Sequence, residues 1–182
     1  KDNDFSDFDV VNEYSSQNLT KILYNYGEEN FTKNIVRNII KAREIKPIET
    51  TSELVEIINK SVPRKNQIDK SSVKRVFQAI RIEVNGELEN LDITLKDIVE
   101  SLNKDGVFCV LTFHSLEDRI VKNVFKELST DCICDKRLPI CVCHHKASIK
   151  LLNRKPIEAS SDEIKQNSRS KSAKLRAVLK LF

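Results

Sequence analysis

The residues whose types and spacing best suit chemistry are His114, Ser115, Glu117, Asp118 and Arg119. They close the stretch Asp105-Gly106-Val107-Phe108-Cys109-Val110-Leu111-Thr112-Phe113, whose β-branched and aromatic run predicts a strand over 107–113, buried on both faces. Ile120, Val121, Val124 and Phe125 then recur at helical spacing, so the strand must turn sharply into a helix. Sheets built from such units place chemistry at the carboxyl ends of their strands. An imidazole, a hydroxyl, carboxylates and a guanidinium are thus presented together at that end. The competing reading is structural. Glu117 and Asp118 can decorate a helix N-terminus, where the macrodipole favours carboxylates, and Arg119 can form an ion pair with either.

A second cluster is built of thiols. The chain has five cysteines, an odd number, and four of them, Cys132, Cys134, Cys141 and Cys143, form two C-x-C pairs. That pattern points to an intracellular metal or thiol cluster more than to a secreted disulfide framework. Four thiols fit tetrahedral zinc, and the short loop around Pro139 can fold the pairs together. The alternative is a surface loop of thiols without metal. His114 stands far away in sequence and is no obvious ligand.

At 182 residues the chain can bury a core as one domain or two small ones. A net charge of +4 announces no global field, so any polyanion partner must be met by a local patch. No long apolar run or signal-like start occurs, which leads us to expect a soluble cytoplasmic protein with no membrane partner. The chain opens at Lys1 and contains no Met, so a fragment or trimmed product is expected. Its three glycines, Gly27, Gly86 and Gly106, are widely separated. No glycine-rich strand-to-helix turn is available to cradle a nucleotide, and cofactor-binding residues are expected upstream of Lys1.

Over 5–62 the apolar spacing is helical. Phe8, Val11 and Tyr14 suggest a first helix; Ser16 is the expected N-cap of a second, and Gly27 its left-handed C-cap. Phe31, Ile35, Ile39 and Ile40 line a third helix ended before Pro47, and Thr50, Thr51 or Ser52 caps a fourth that runs to Pro63. From Val73 to Leu102 a long helical region is expected, with a break near 92–94. Strands are expected at 149–152 and 175–182, and a brief helix capped by Ser160 or Ser161 lies between them.

Cations gather in two places. Lys60, Arg64, Lys65, Lys70, Lys74 and Arg75 form either a solvated linker or a phosphate-facing patch. The segment Ser168-Arg169-Ser170-Lys171-Ser172-Ala173-Lys174 offers cations and hydroxyls of the kind that hold phosphates, although a surface loop explains it equally well.

Several blocks, in order, resemble one family. They are Tyr26-Gly27-Glu28-Glu29-x-Phe31; Ile48-Glu49-Thr50-Thr51-x-Glu53-Leu54; Arg75-x-Phe77-Gln78-Ala79-Ile80-Arg81 through Asn85-x-Glu87-Leu88; Phe113 through Lys122; Arg154-Lys155-Pro156-Ile157; and Arg169-x-Lys171-Ser172-Ala173-Lys174-Leu175-Arg176. Together they resemble the RsmH (MraW) family, S-adenosylmethionine-dependent methyltransferases that modify the exocyclic amine of a cytosine in small-subunit ribosomal RNA. The departures are Ser71-Ser72 where the family often has His-Pro, and Ser168 where it often has Pro.

The resemblance implies an α/β fold: an incomplete Rossmann-like class I methyltransferase sheet, reduced to its last three strands, with an inserted all-helical domain. The helical domain would occupy 1–70 and recognise RNA. Residues 71–182 would be the C-terminal part of the methyltransferase domain, with a Cys-rich loop at 129–148. The strands would be 107–113, 149–153 and 175–182, the last antiparallel and lying between the others. S-adenosylmethionine would serve the complete enzyme, and this part would be inactive alone.

On that reading His114 and Ser115 line the target pocket, while Glu117 or Asp118 orients them or pairs with Arg119. Arg64, Lys65, Lys74, Arg75, Arg169, Lys171, Lys174 and Arg176 would contact RNA phosphates, and Arg81 and Asn85 would brace the site or touch RNA. An unpaired or splayed target also calls for stacking side chains, for which Tyr24, Tyr26 and Phe31 are available. Small-subunit ribosomal RNA is the expected partner, with a homodimer an open option. The rivals are a non-catalytic RNA-binding module and a small zinc-binding adaptor.

Overall fold

A computed structural model describes residues 5–64, 71–132, 134, 140, 142, 143 and 145–182. They form two compact units, 1–87 and 88–182. The first unit extends to Glu87, because the helix that follows residue 70 packs its apolar face into that unit's core.

The first unit consists of α1 (Asp7–Glu13), α2 (Ser16–Asn25), α3 (Thr32–Arg43), α4 (Thr51–Ser61) and α5 (Ser71–Asn85). Local chemistry sets their starts. Ser6 and Asp9 form a capping box at α1, Ser15 accepts the Asn18 N–H at α2, and Thr50 with Glu53 forms a second box at α4. The cap of α2 is thus Ser15 and not Ser16, which is already helical. Gly27 is not the left-handed residue either; Glu28 adopts that conformation, with φ 49°. Gly27 is needed for closeness, since a Cβ there would lie 2.7 Å from the Leu23 carbonyl oxygen and 2.9 Å from that of Arg75.

Val10, Leu23, Ile35, Ile39 and Ile58 fill the core of this unit, joined by Val76, Ala79 and Ile80 of α5. Two polar devices tie the connections down. Asn12 donates to the Ile48 carbonyl and accepts its N–H, at 3.0 and 2.8 Å, and the Arg43 guanidinium donates to the carbonyls of Val11 and Tyr14. Tyr14 donates to Glu83, and burial followed by that neighbouring carboxylate pushes its phenol up to about 12.

The expected break in the long helical region comes earlier than 92–94. α5 ends at Asn85, Gly86 and Asn90 take positive φ, and α6 (Leu91–Ser101) follows.

The second unit continues with β1 (Val107–Thr112), α7 (Ser115–Leu128), β2 (Ile149–Leu151), β3 (Ile157–Glu158), α8 (Ser161–Gln166), a 3-10 turn (Ser168–Ser172) and β4 (Lys174–Lys180). β4 lies between β1 and β2 and is antiparallel to both, with Val107 opposite Leu179 and Ile149 opposite Lys180. The short β3, which the apolar pattern did not signal, also pairs with β4.

One face of this sheet packs on α7. Phe108 meets Phe125 edge-on at 5.9 Å, within a core that includes Leu95, Val99, Val121, Ile149 and Val178. The other face of β1 departs from expectation. Val107 and Leu111 are each 54% exposed, so β1 is covered on one side only among the described residues.

Candidate functional site: the corner between β1 and α7

The corner is assembled from backbone need. Beyond Thr112 the chain must leave the ladder and start α7, whose first N–H groups have no partner within the helix. His114 takes an extended conformation and serves as N-cap, its Nδ1 accepting the Glu117 N–H at 3.3 Å. Glu117 reaches back, and its Oε2 accepts the N–H groups of Phe113 and His114 at 2.9 and 3.2 Å. This is a capping box with a histidine in the place usually held by Ser or Thr. The His114 Nε2 stands 3.3 Å from Glu117 Oε1. His114 is therefore a positioning group, and Glu117 holds the turn.

Asp118 also departs from the expected pairing. Its partner is not Arg119 but Arg176 of β4, which grips it with two hydrogen bonds of 2.7 and 3.0 Å, and Lys174 Nζ lies 3.9 Å away. These bonds hold the Asp118 carboxyl below its ordinary range against the opposing effect of burial. Arg176, 8% exposed and engaged, is thus not available to a phosphate.

Other expected RNA contacts divide in the same way. Arg75 donates through Nε at 2.8 Å to Glu29, a carboxylate only 1% exposed whose other oxygen accepts the Phe31 N–H. It belongs to the frame of the first unit. Arg81 is held by both carboxylate oxygens of Glu87, at 2.8 and 3.0 Å, and Asn85 donates to the same carboxylate. Arg64, Lys74, Arg169 and Lys171 are exposed, and Lys174 is half-buried. Lys65 lies outside the described residues. Of the aromatic candidates, Tyr24 is exposed, whereas Tyr26 and Phe31 pack on the core of the first unit.

At the corner itself, Ser115 and Arg119 are exposed. They begin a stripe along α7 that continues through the exposed Lys122 and Lys126, at steps of four, three and four residues. Lys122 and Lys126 line a cleft of about 160 Å³ together with Asn153 and Arg154. The helical spacing of these cations is visible in the sequence once α7 is placed, yet only the fold brings Arg154 to them. A second cavity, of about 550 Å³, belongs to the first unit and is lined by Phe8, Leu54, Phe77, Gln78 and Lys74 among others.

Among the metal candidates, the Sγ atoms of Cys132, Cys134 and Cys143 converge within 4.8 Å of one another. Cys141 lies outside the described residues.

The model of the MraW methylase family matches residues 1–181. This chain belongs to that family. Among similar proteins is the ribosomal RNA small subunit methyltransferase H of Clostridioides difficile (strain 630), 51% identical over 98% of this chain and 58% of that protein. The protein of the same description from Clostridium botulinum (strain Kyoto / Type A2) is 52% identical over 100% of this chain and 59% of its own length. That of Finegoldia magna is 47% identical over 99% of this chain and 58% of its own length. This MraW-family chain thus spans less than three fifths of the relatives it matches. Its α/β architecture accords with a methyltransferase family. Among the described residues no helix is long and apolar enough to cross a membrane.

Two of the family-like blocks acquire a physical meaning here. The block around Tyr26–Phe31 and the block opening at Arg75 meet through the Glu29–Arg75 ion pair. Likewise Asp118 and Arg176, from two further blocks, meet as a buried pair.

Proposed function

We propose that this chain is the acceptor-handling part of an S-adenosylmethionine-dependent methyltransferase that modifies the N4 amine of a cytosine in small-subunit ribosomal RNA. The observation that carries the reading is the exposed Ser115 at the carboxyl end of β1, followed along α7 by Arg119, Lys122 and Lys126, in a chain of the MraW family. A hydroxyl beside a row of cations suits an amine acceptor on a phosphate backbone.

The described residues do not fit the methyl donor. The turn from β1 into α7 already has its N–H groups engaged by His114 and Glu117, and the sequence has no glycine-rich turn to cradle a nucleotide. What this chain supplies is alignment: Ser115 accepts a hydrogen bond from the amine, His114 and Glu117 fix the turn that carries it, and the stripe with Arg154, Arg169 and Lys171 holds phosphates. The first unit supplies a second RNA surface through Lys74, Arg64 and the cavity lined by Phe8 and Phe77, whose volume suits a nucleoside-sized group. The bare face of β1, with Val107 and Leu111, is where a further layer of a Rossmann-like methyltransferase domain would pack.

Two measurements test the proposal. In a polypeptide of the family's full length, Ser115→Ala should lower methyl transfer to small subunits. By calorimetry, this chain alone should bind S-adenosylmethionine weakly or not at all. Full transfer activity in Ser115→Ala would remove Ser115 from the site, and tight donor binding by this chain would overturn the division of labour.

A further inference from the structure

The thiol cluster of the second unit takes no part in the proposed transfer. It sits in the segment between α7 and β2, whose ends are pinned together. Ser148 N–H donates to the Leu128 carbonyl at 2.9 Å, and Ala147 N–H donates to Asp131 Oδ1 at 3.2 Å. Between these anchors Cys132, Cys134 and Cys143 bring their sulfurs within 4.8 Å of one another. Among the described residues of the same segment, Ile140 and Val142 are 74% and 66% exposed.

The spacing of the sulfurs fits a metal. Cys143 Sγ and Cys132 Sγ are 3.8 Å apart. Zinc–thiolate bonds of about 2.3 Å at the tetrahedral angle require sulfurs about 3.8 Å apart, whereas a disulfide would bring them to about 2.05 Å. In addition, the Val142 N–H donates to Cys134 Sγ at 3.4 Å. An amide aimed at sulfur is the kind of outer contact that orients a ligand.

We propose that Cys132, Cys134 and Cys143 bind a zinc ion that staples the segment between α7 and β2. Binding displaces the thiol protons to solvent and involves no electron transfer. The sequence offers a fourth thiol in Cys141, which lies outside the described residues.

The test is metal content of the full chain purified under reducing conditions without chelator. Elemental mass spectrometry should find stoichiometric zinc in the parent and in Cys109→Ser, a control in β1, and loss of zinc in Cys132→Ser and Cys143→Ser. Cobalt(II) substitution should give the intense visible bands of a tetrahedral thiolate site in the parent, and circular dichroism would verify that the variants keep their helices. Zinc absent from the parent, zinc retained by both variants, or a Cys132–Cys143 disulfide in place of metal would each overturn the proposal.

Discussion

The sharpest test of the architecture is Asp118→Asn. Asp118 and Arg176 are each 8% exposed, and the guanidinium makes hydrogen bonds of 2.7 and 3.0 Å to the two carboxylate oxygens. Two charge-assisted bonds contribute about 1.5–3 kcal/mol apiece before desolvation is subtracted. Removing one partner leaves a buried guanidinium uncompensated, and Lys174 at 3.9 Å adds a like charge to the same place. The expected loss is about 3–5 kcal/mol. For a unit the size of 88–182 each kcal/mol moves Tm by roughly 4–8 °C, so the melting of that unit should fall by at least about 12 °C.

The measurement is urea denaturation and thermal melting of wild type, Asp118→Asn, Asp118→Leu, Arg176→Met and the double variant Asp118→Leu/Arg176→Met. The double variant should be far less damaged than the sum of the singles, because apolar replacement of both charges leaves nothing unpaired. The pH dependence has a defined sign. The folded-state carboxyl lies below its ordinary value of 3.8, so its contribution is present above that pH and is lost as pH falls below it. A loss below about 1 kcal/mol for Asp118→Asn, or strict additivity of the singles, would refute the assignment of Arg176 to structure.

Four further outcomes are expected. In full-length enzyme, Arg169→Glu with Lys171→Glu should weaken RNA binding and flatten the plot of log K against log salt by about 0.7 for each phosphate no longer neutralised. Arg75→Gln should leave that slope unchanged while lowering stability, because Arg75 is held by buried Glu29; a flattened slope for Arg75→Gln would return it to the RNA surface. Gly27→Ala should destabilise by about 1–3 kcal/mol in denaturant titration, as its methyl would meet carbonyl oxygens at 2.7 and 2.9 Å, and a neutral effect would deny the close approach. The Glu53 carboxyl, lowered to about 2 chiefly by the N–H groups of Glu49 and Thr50, should titrate near that value by NMR. Its contribution to stability persists above its ordinary value of 4.5 and disappears as pH falls through about 2; titration near 4.5 would show that the capping box is not formed.

Much of the fold was written in short-range patterns. The helices of 5–62 and the strand 107–112 follow from apolar spacing, and the caps Thr50 and Ser160 were readable because caps depend on residues a few positions apart, whereas the strand order came from the family resemblance. The polar corner was readable too, since His114 to Arg119 are contiguous. What the corner's side chains do was decided by tertiary structure. Asp118 finds a partner 58 positions away, and Arg75 one 46 positions away, so in sequence these cations look the same as exposed Arg169 and Lys171. Val107 and Leu111 make the same apolar alternation whether or not a second layer covers them, and only packing shows that their face is bare. Charge and hydrophobicity are properties of residues, whereas pairing and burial are properties of neighbours. The sequence determined which groups this chain carries, and the fold determined which of them remain exposed.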